Sequence, residues 1–81
     1  MSILTVIQRE VAIVCGVAAN AVQPDARLFT FGLDSIRTMD VIIGLEAEYD
    51  IDIYETEIAP LETVADVVQL IETKIESPTT A

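Results

Sequence analysis

Ser35 is the residue in this sequence whose position most favours chemistry, because it stands at the start of a predicted helix. Asp34 or Ser35 can cap the exposed amides there, and capping is the usual role of such a hydroxyl. As a nucleophile Ser35 has no activating base: the chain has no histidine, and Lys74 falls in the last turn of another predicted helix. The alternative role is modification. A phosphodiester on Ser35 would place negative charge at the positive end of a helix dipole, beside free amides.

Acidic side chains are the second feature with chemical consequences. Between Thr38 and Thr73 the chain carries ten carboxylates and no basic side chain, at positions 40, 46, 48, 50, 52, 55, 57, 62, 66 and 72. Such a field can steer basic partners to this region, although a merely solvated acidic surface has the same composition. Crowding of like charges predicts carboxyl pKa values above the unfolded-state values, so we expect stability to rise on mild acidification.

A metal site is another use for clustered carboxylates. Asp50, Asp52, Glu55 and Glu57 lie close together in the sequence. Their spacing lacks the glycine and the later bidentate glutamate of a calcium loop. We therefore expect no dedicated metal site.

The composition excludes several classes of function. The chain has 81 residues, enough for one domain, and 14 acidic against 4 basic residues give a formal net charge of -10. Nucleic acids and anionic membranes both require lysine and arginine, so neither is expected as a partner. Without histidine and with a single cysteine, no Cys–His pair or internal disulfide forms, and we expect a protein that is not an enzyme. Residues 1–24 show no basic leader and no apolar run reaches membrane length, which predicts a cytoplasmic protein.

Hydrophobic periodicity predicts three long helices and one short one. Their expected ranges are Ser2 to about Cys15, Ser35 or Ile36 to about Tyr49, Glu55 to Ala59, and about Val64 to Glu76, the last with an apolar face of Val64, Val67, Val68, Ile71 and Ile75. Gly16 stands where a left-handed residue would end the first helix, and Thr63 followed by Asp66 resembles a capping box. With no credible strand pair, the predicted fold is an all-α, small four-helix bundle.

The connection between the first two helices is the least regular part of the sequence. Residues 16–34 show neither helical nor strand periodicity, so we predict a long loop pinned to the core by Leu28, Phe29 and Phe31. Residues 1–76 are predicted to form the domain, and residues 77–81 a disordered tail.

The second predicted helix has two apolar stripes rather than one. Val41, Ile42, Leu45 and Tyr49 lie together on a helical wheel, and Ile36, Met39 and Ile43 lie together about 130° away. In so small a bundle one stripe must face the core. The other stripe reaches into a cavity between helices, is covered by a neighbouring helix, or is exposed as a docking surface, and the polar border at Asp40 favours docking.

The motif Gly32-Leu33-Asp34-Ser35-Ile36 resembles the attachment site of the acyl and peptidyl carrier proteins. The resemblance runs from Ile3 to Ile75 and includes Leu28, Phe31, the segment Tyr49-Asp50-Ile51-Asp52-Ile53, and Thr63-Val64. It implies that Ser35, flanked by Asp34, receives 4'-phosphopantetheine from coenzyme A through a phosphopantetheinyl transferase. The thiol of this arm then carries acyl or aminoacyl groups as thioesters in a pathway of the fatty-acid, polyketide or nonribosomal-peptide type.

Arg37 departs from one branch of the family that the chain resembles. Fatty-acid carriers usually have an acidic residue at the second position after the serine, whereas Asp34-Ser35-Ile36-Arg37 is more similar to aryl carrier domains of nonribosomal assembly lines. The acidic remainder of the chain is more similar to fatty-acid or polyketide carriers. Taken together, the resemblance implies a free-standing carrier in a specialised pathway rather than in housekeeping fatty-acid synthesis.

Partner enzymes are expected to recognise the second helix of this carrier. The expected contacts are Ile36, Arg37, Met39, Asp40, Ile43 and Glu46. Met39 and Ile43 would supply apolar contacts, and Asp40 and Glu46 would supply charges at the rim. The carrier is expected to be a monomer. It would bind basic patches on the transferase and on acyl- or aminoacyl-activating and acyl-processing enzymes. The alternative is a helical interaction module without a cofactor, which would have the same acidic face and no use for Ser35.

Overall fold

The computed structural model describes residues 2–76, which form a helical bundle. The helices are α1 (Ile3–Cys15), α2 (Ser35–Tyr49), α3 (Glu55–Ile58) and α4 (Val64–Glu76). No strand forms within these residues, and a single isolated bridge joins Arg27 and Thr63. The predicted all-α four-helix fold is confirmed, and the tail predicted at residues 77–81 lies outside the described residues.

Local sequence signals set the ends of the long helices. The Ser2 hydroxyl accepts a hydrogen bond from the Thr5 amide at 3.1 Å, and Gly16 ends α1 in the left-handed region at φ 69°. Before α4, the Thr63 hydroxyl accepts from the Asp66 amide at 3.2 Å, and the Asp66 carboxylate accepts from the Thr63 amide at 3.0 Å. The predicted capping box is therefore confirmed, since each side chain satisfies an otherwise unpaired amide.

The core takes one face from each long helix. Its buried residues are Val6, Ile7 and Val11 of α1, Val41, Ile42 and Leu45 of α2, Val64, Val67 and Ile71 of α4, and Val22 and Ile53 of the connections. Spacings of three and four residues keep each set on one side of its helix. Ile75 has the same spacing as the apolar face of α4 but is 44 % exposed. It lies in the last turn of α4, beyond the last buried residue, Ile71.

α1 and α2 approach each other closely at Gly44. The carboxylate of Glu10 lies against Gly44, in the space that a Cβ atom would occupy. Arg9 Nη2 lies 2.9 Å from Glu48 Oε1 and forms an ion pair between the same two helices. Glycine therefore allows close packing here, although it lowers the helix propensity of α2.

The connection between α1 and α2 is more ordered than predicted. It contains two 3₁₀ segments, Ala19–Ala21 and Leu28–Phe31. Its backbone is tied to the segment before α4, because the Leu28 amide donates to the Glu62 carbonyl at 2.9 Å and the Val64 amide donates to the Ala26 carbonyl at 3.0 Å. These bonds replace the missing local periodicity, so the prediction of a long structureless loop is corrected.

Two of the three predicted anchors of this connection are confirmed. Leu28 and Phe31 are half-buried against the core, whereas Phe29 is 72 % exposed. Residues three apart lie on the same side of a 3₁₀ turn, so Leu28 and Phe31 face the core together and Phe29 faces away. The prediction that Phe29 is an anchor is wrong.

Two carboxyl groups have the opposite pKa shift to the one expected from crowding. A hydrogen bond from the Lys74 ammonium, with a second from the Tyr54 amide, holds the pKa of Glu57 below its ordinary range. Two backbone amides of the capping box lower the pKa of Asp66 in the same way. Because these donors favour the charged form, the expectation of raised values is wrong for both groups.

Acidification is therefore expected to weaken the fold through Glu57 and Asp66. A pKa that is lower in the folded than in the unfolded chain contributes stability above the ordinary carboxyl range of about 4, and that contribution is lost as the pH falls through the folded-state value. The double substitution Glu57→Gln and Asp66→Asn should lower the free energy of unfolding at neutral pH and flatten its decline in acid. Urea unfolding followed by circular dichroism across this pH range measures both effects.

Ser2→Ala is the control for this experiment. It removes the capping hydroxyl of α1 and should cost about 1 kcal/mol of stability, while both carboxylates and their hydrogen-bond donors stay in place. Its free energy of unfolding should decline in acid about as steeply as that of the wild type. A double variant that retains the wild-type slope would contradict the role assigned to the two carboxylates.

Candidate cofactor attachment site

A glycine and an aspartate shape the segment that leads into α2. Gly32 ends the 3₁₀ segment Leu28–Phe31 at φ 76°, a left-handed conformation that strains other residues. The Asp34 amide then donates to the Gly32 carbonyl at 3.0 Å. This tight turn sends the chain directly into α2, whose first residue is Ser35.

Asp34, rather than Ser35, caps α2. Asp34 Oδ1 accepts a hydrogen bond from the Arg37 amide at 2.9 Å, and the Asp34 carbonyl accepts from the Thr38 amide at 2.9 Å. Ser35 is exposed, and its hydroxyl has no hydrogen-bond partner among residues 2–76. Capping therefore leaves the Ser35 hydroxyl available for covalent chemistry.

The helix field at Ser35 favours a negative group. The peptide dipoles of the 15-residue helix α2 place partial positive charge at its first turn. The predicted position of Ser35 at the beginning of a long helix is confirmed. An anion attached there would lie beside the backbone amides of the first turn.

A largely apolar cleft opens beside Ser35. Its volume is about 620 Å³, and residues from all four helices line it together with the segment before α2. Its apolar walls include Leu28, Met39, Ile42, Ile58 and Leu61. The sequence indicated a cavity only as one alternative for the second apolar stripe of α2, whose Met39 lines the cleft, and did not predict its position beside Ser35. The available signal was the pair Ile58 and Leu61, two apolar residues at the end of a segment too short to build a helix face of its own.

The second apolar stripe of α2 is exposed. Ile36 is 73 % exposed, Met39 46 % and Ile43 58 %, and Arg37 and Asp40 are exposed in the same turns. The opposite stripe is buried at Val41, Ile42 and Leu45 and half-buried at Tyr49. Within residues 2–76 no neighbouring helix covers both stripes, and use of the exposed one for docking stays a prediction.

Glu46 differs from the other predicted contacts on α2. It is half-buried, and its Oε2 accepts a hydrogen bond from the Ile53 amide at 2.9 Å. This bond ties the last turns of α2 to the segment that leads to α3. The Glu46 carboxylate therefore has a partner inside the fold, which the helical wheel could not reveal because Ile53 lies beyond the end of α2.

The other candidate functional groups are less suited to metal binding or covalent chemistry than the Ser35 hydroxyl is to modification. No three cysteine, aspartate or glutamate side chains within residues 2–76 are placed to hold a metal ion. Cys15 is half-buried, and burial raises the pKa of its thiol against the opposing effect of Arg37. A thiol that stays protonated at neutral pH is a poor nucleophile.

Comparison with known proteins identifies a family that matches most of the chain. The family model described as "Phosphopantetheine attachment site" matches residues 5–71, a range that contains Ser35 and its neighbours. An acyl carrier protein of Akkermansia muciniphila is 36 % identical over 58 residues, which cover 70 % of this chain and 72 % of the relative.

Longer plant proteins are also similar to this chain. Acyl carrier protein 1, chloroplastic, of Casuarina glauca is 37 % identical over 57 residues, which cover 70 % of this chain and 42 % of the relative. The protein of the same name from Hordeum vulgare is 28 % identical over 74 residues, which cover 91 % of this chain and 48 % of the relative. This chain thus spans less than half the length of these two relatives.

The surroundings of Ser35 fit a covalent phosphopantetheine group. The hydroxyl is exposed, the first turn of α2 favours the negative charge of a phosphodiester, and the cleft provides apolar space beside the attachment point. Because the family model matches most of the residues, the chain belongs to the phosphopantetheine-binding family of acyl carrier proteins, which are carriers rather than enzymes and hold 4'-phosphopantetheine covalently.

Proposed function

We propose that this chain is an acyl carrier protein that holds acyl or aminoacyl intermediates as thioesters on a 4'-phosphopantetheine arm attached to Ser35. The observation that carries the proposal is the exposed Ser35 hydroxyl, without a partner in residues 2–76, at the first residue of α2 and inside the matched range. The attached arm supplies the terminal thiol that forms the thioester. The chain's own residues present the attachment point and contact the partner enzymes.

Attachment requires a separate transferase, because the chain supplies no base at Ser35. The Asp34 carboxylate accepts the Arg37 amide, and the Lys74 ammonium is bound to Glu57 at 2.7 Å. The transferase must therefore accept the proton of the Ser35 hydroxyl as the serine oxygen bonds to the phosphorus that carries the pantetheine arm. The pyrophosphate bond of coenzyme A breaks in the same step, and adenosine 3',5'-bisphosphate leaves. The first turn of α2 then stabilises the negative charge of the phosphodiester product.

The cleft gives the apolar part of a cargo a place away from water. Ser35 lines the same cleft as Leu28, Ile42 and Ile58, so a group attached through Ser35 begins at its edge. Each methylene that moves from water into apolar surroundings gains about 0.8 kcal/mol. This gain favours cargoes with alkyl or aryl groups.

The exposed face of α2 is the proposed contact surface for the transferase and for acyl- or aminoacyl-activating and acyl-processing enzymes. It combines the apolar side chains of Ile36, Met39 and Ile43 with the charge of Asp40. The formal net charge of -10 favours basic patches on these enzymes.

We further propose a specialised pathway of the polyketide or nonribosomal-peptide type rather than housekeeping fatty-acid synthesis. The support comes from Arg37, which is exposed in the first turn of α2 with Nη1 3.5 Å from the Gly32 carbonyl oxygen. A partner that contacts this turn must accept a positive charge two residues after the attachment point.

The proposal includes a monomeric, cytoplasmic carrier whose domain spans residues 1–76. The family match at residues 5–71 supports these bounds. None of the helices in residues 2–76 combines the length and the apolarity needed to cross a bilayer.

Incubation with coenzyme A, magnesium and a broad-specificity phosphopantetheinyl transferase should add one phosphopantetheine group to the wild-type protein. Ser35→Ala should gain no mass, because it lacks the attachment hydroxyl. Ser2→Ala, which removes a serine hydroxyl at the start of α1, is the matched control and should be loaded like the wild type. Intact-protein mass spectrometry measures all three. An unmodified wild type, beside a control carrier that is loaded, would leave the cofactor-free interaction module as the better account.

Asp40→Lys should slow association with the transferase about threefold at low salt, because it reverses a charge on the contact face. The loss in association rate should shrink at about 1 M salt, where the Debye length is about 3 Å. Stopped-flow binding measures the rate. Glu72→Lys makes the same charge change at an exposed position of α4 and is the control. Equal slowing by both variants would show that net charge, rather than this face, governs association. Glu46 is left unchanged because it bonds to Ile53.

Arg37→Glu tests the proposed pathway class. The wild-type holo protein should be acylated faster by an aryl-activating enzyme of a nonribosomal system than by a fatty acyl–carrier protein synthetase. Arg37→Glu should narrow or reverse that preference, because it replaces the positive charge beside the arm. Initial rates of acyl transfer by the two enzymes measure this preference. A wild type that prefers the fatty acyl enzyme would contradict the specialised assignment.

A further inference from the structure

α3 is a short helix that forms one wall of the cleft. Glu55, Ile58 and the following residue Ala59 line the cleft. A helix of one turn is unstable by itself, and α3 contains no fully buried residue that would anchor it in the core. Contacts outside the helix must therefore hold α3 in position.

Lys74 of α4 supplies such a contact. Its Nζ lies 2.7 Å from Glu57 Oε1, a short and direct ion pair. The Lys74 side chain is only 13 % exposed, which limits screening of the pair by water. The ring of Tyr54 covers the ammonium, with Nζ 4.8 Å from the ring centroid.

Glu57 joins this contact to the start of α3. Its Oε1 also accepts a hydrogen bond from the Tyr54 amide at 2.9 Å, and Tyr54 immediately precedes α3. Lys74, Glu57 and Tyr54 therefore form one connected unit, the α3 clasp, which joins α3 to α4. The lowered pKa of Glu57, caused first by Lys74, agrees with a charged carboxylate in this unit.

We propose that Lys74 is a positioning residue that holds α3 in place through the α3 clasp and thereby limits the entry of apolar groups into the cleft beside Ser35. This inference rests on the proposed function, in which the cleft takes the apolar part of a cargo. The long helices α1, α2 and α4 supply nine of the buried core residues and α3 supplies none. Ile58 is half-buried against the core, so loss of the clasp loosens α3 while the rest of the bundle keeps its core.

Lys74→Met removes the ammonium and keeps a long apolar side chain. The amides of residues 57–59, which donate to the Tyr54 and Glu55 carbonyls, should then exchange hydrogen about three- to tenfold faster, as expected for the loss of one charge-assisted hydrogen bond. Amides of the core residues Val11 and Leu45 should exchange at the wild-type rate. Hydrogen exchange followed by NMR on the full chain measures both sets.

Entry into the cleft is measured with a neutral apolar dye, N-phenyl-1-naphthylamine, whose fluorescence rises in apolar surroundings. Stopped-flow mixing should show association about three- to tenfold faster with Lys74→Met than with the wild type, in parallel with the exchange rates. A neutral dye avoids repulsion by the acidic protein.

Two control variants separate the clasp from net charge. Lys74→Arg keeps the cation and should retain most of the wild-type exchange and dye-binding rates. Arg9→Met removes one positive charge and the ion pair with Glu48, which does not line the cleft. Arg9→Met should leave both the α3 exchange rates and the dye association rate at their wild-type values.

Unchanged exchange at residues 57–59, or a uniform rise that includes the α1 and α2 core, would overturn the clasp. Faster exchange in α3 with unchanged dye association, or no dye binding to either protein, would overturn its control of the cleft. Loading of Ser35 in the wild type is a separate readout, so failure of the proposed function is distinguishable from failure of the clasp.

Discussion

Burial of one face of α2 is the constraint on which the rest of the structure depends. Val41, Ile42 and Leu45 pack into the core against α1 and fix the rotation of α2 about its axis. With that rotation fixed, the face that carries Ile36 and Ile43 is exposed, and the first turn lies beside the cleft. The attachment point, the space for cargo and the contact surface therefore all follow from one packing arrangement.

The basic residues serve as links between elements of a strongly acidic chain. With 4 basic residues against 14 acidic ones, most carboxylates face solvent and give the surface its negative field. The links are Arg9 to Glu48 between α1 and α2, Arg27 to Glu62 between the connection and the segment before α4, Lys74 to Glu57 between α4 and α3, and Arg37 to the Gly32 carbonyl at the attachment site. Among these links the basic side chain of Lys74 is the least exposed, and its ion pair holds the one-turn helix that lines the cleft.

Features coded by local spacing could be predicted from the sequence. The four helices, the Thr63–Asp66 capping box and the exposed stripe of α2 depend on residues within one or two helical turns of each other. The orientation of Phe29, the bond from Ile53 to Glu46 and the lowered pKa of Glu57 depend on partners brought together by folding. The position of the cleft could not be predicted for the same reason, since its walls come from all four helices.

The central claim is that Ser35 carries the phosphopantetheine arm, and localisation of the modification by tandem mass spectrometry tests it most directly. Trypsin cleaves after Arg27 and Arg37, so residues 28–37 form one peptide with two hydroxyl side chains, Thr30 and Ser35. The account predicts that fragment ions of the loaded peptide place the whole phosphopantetheine mass on Ser35. Modification of Thr30, or of a peptide outside residues 28–37, would contradict it.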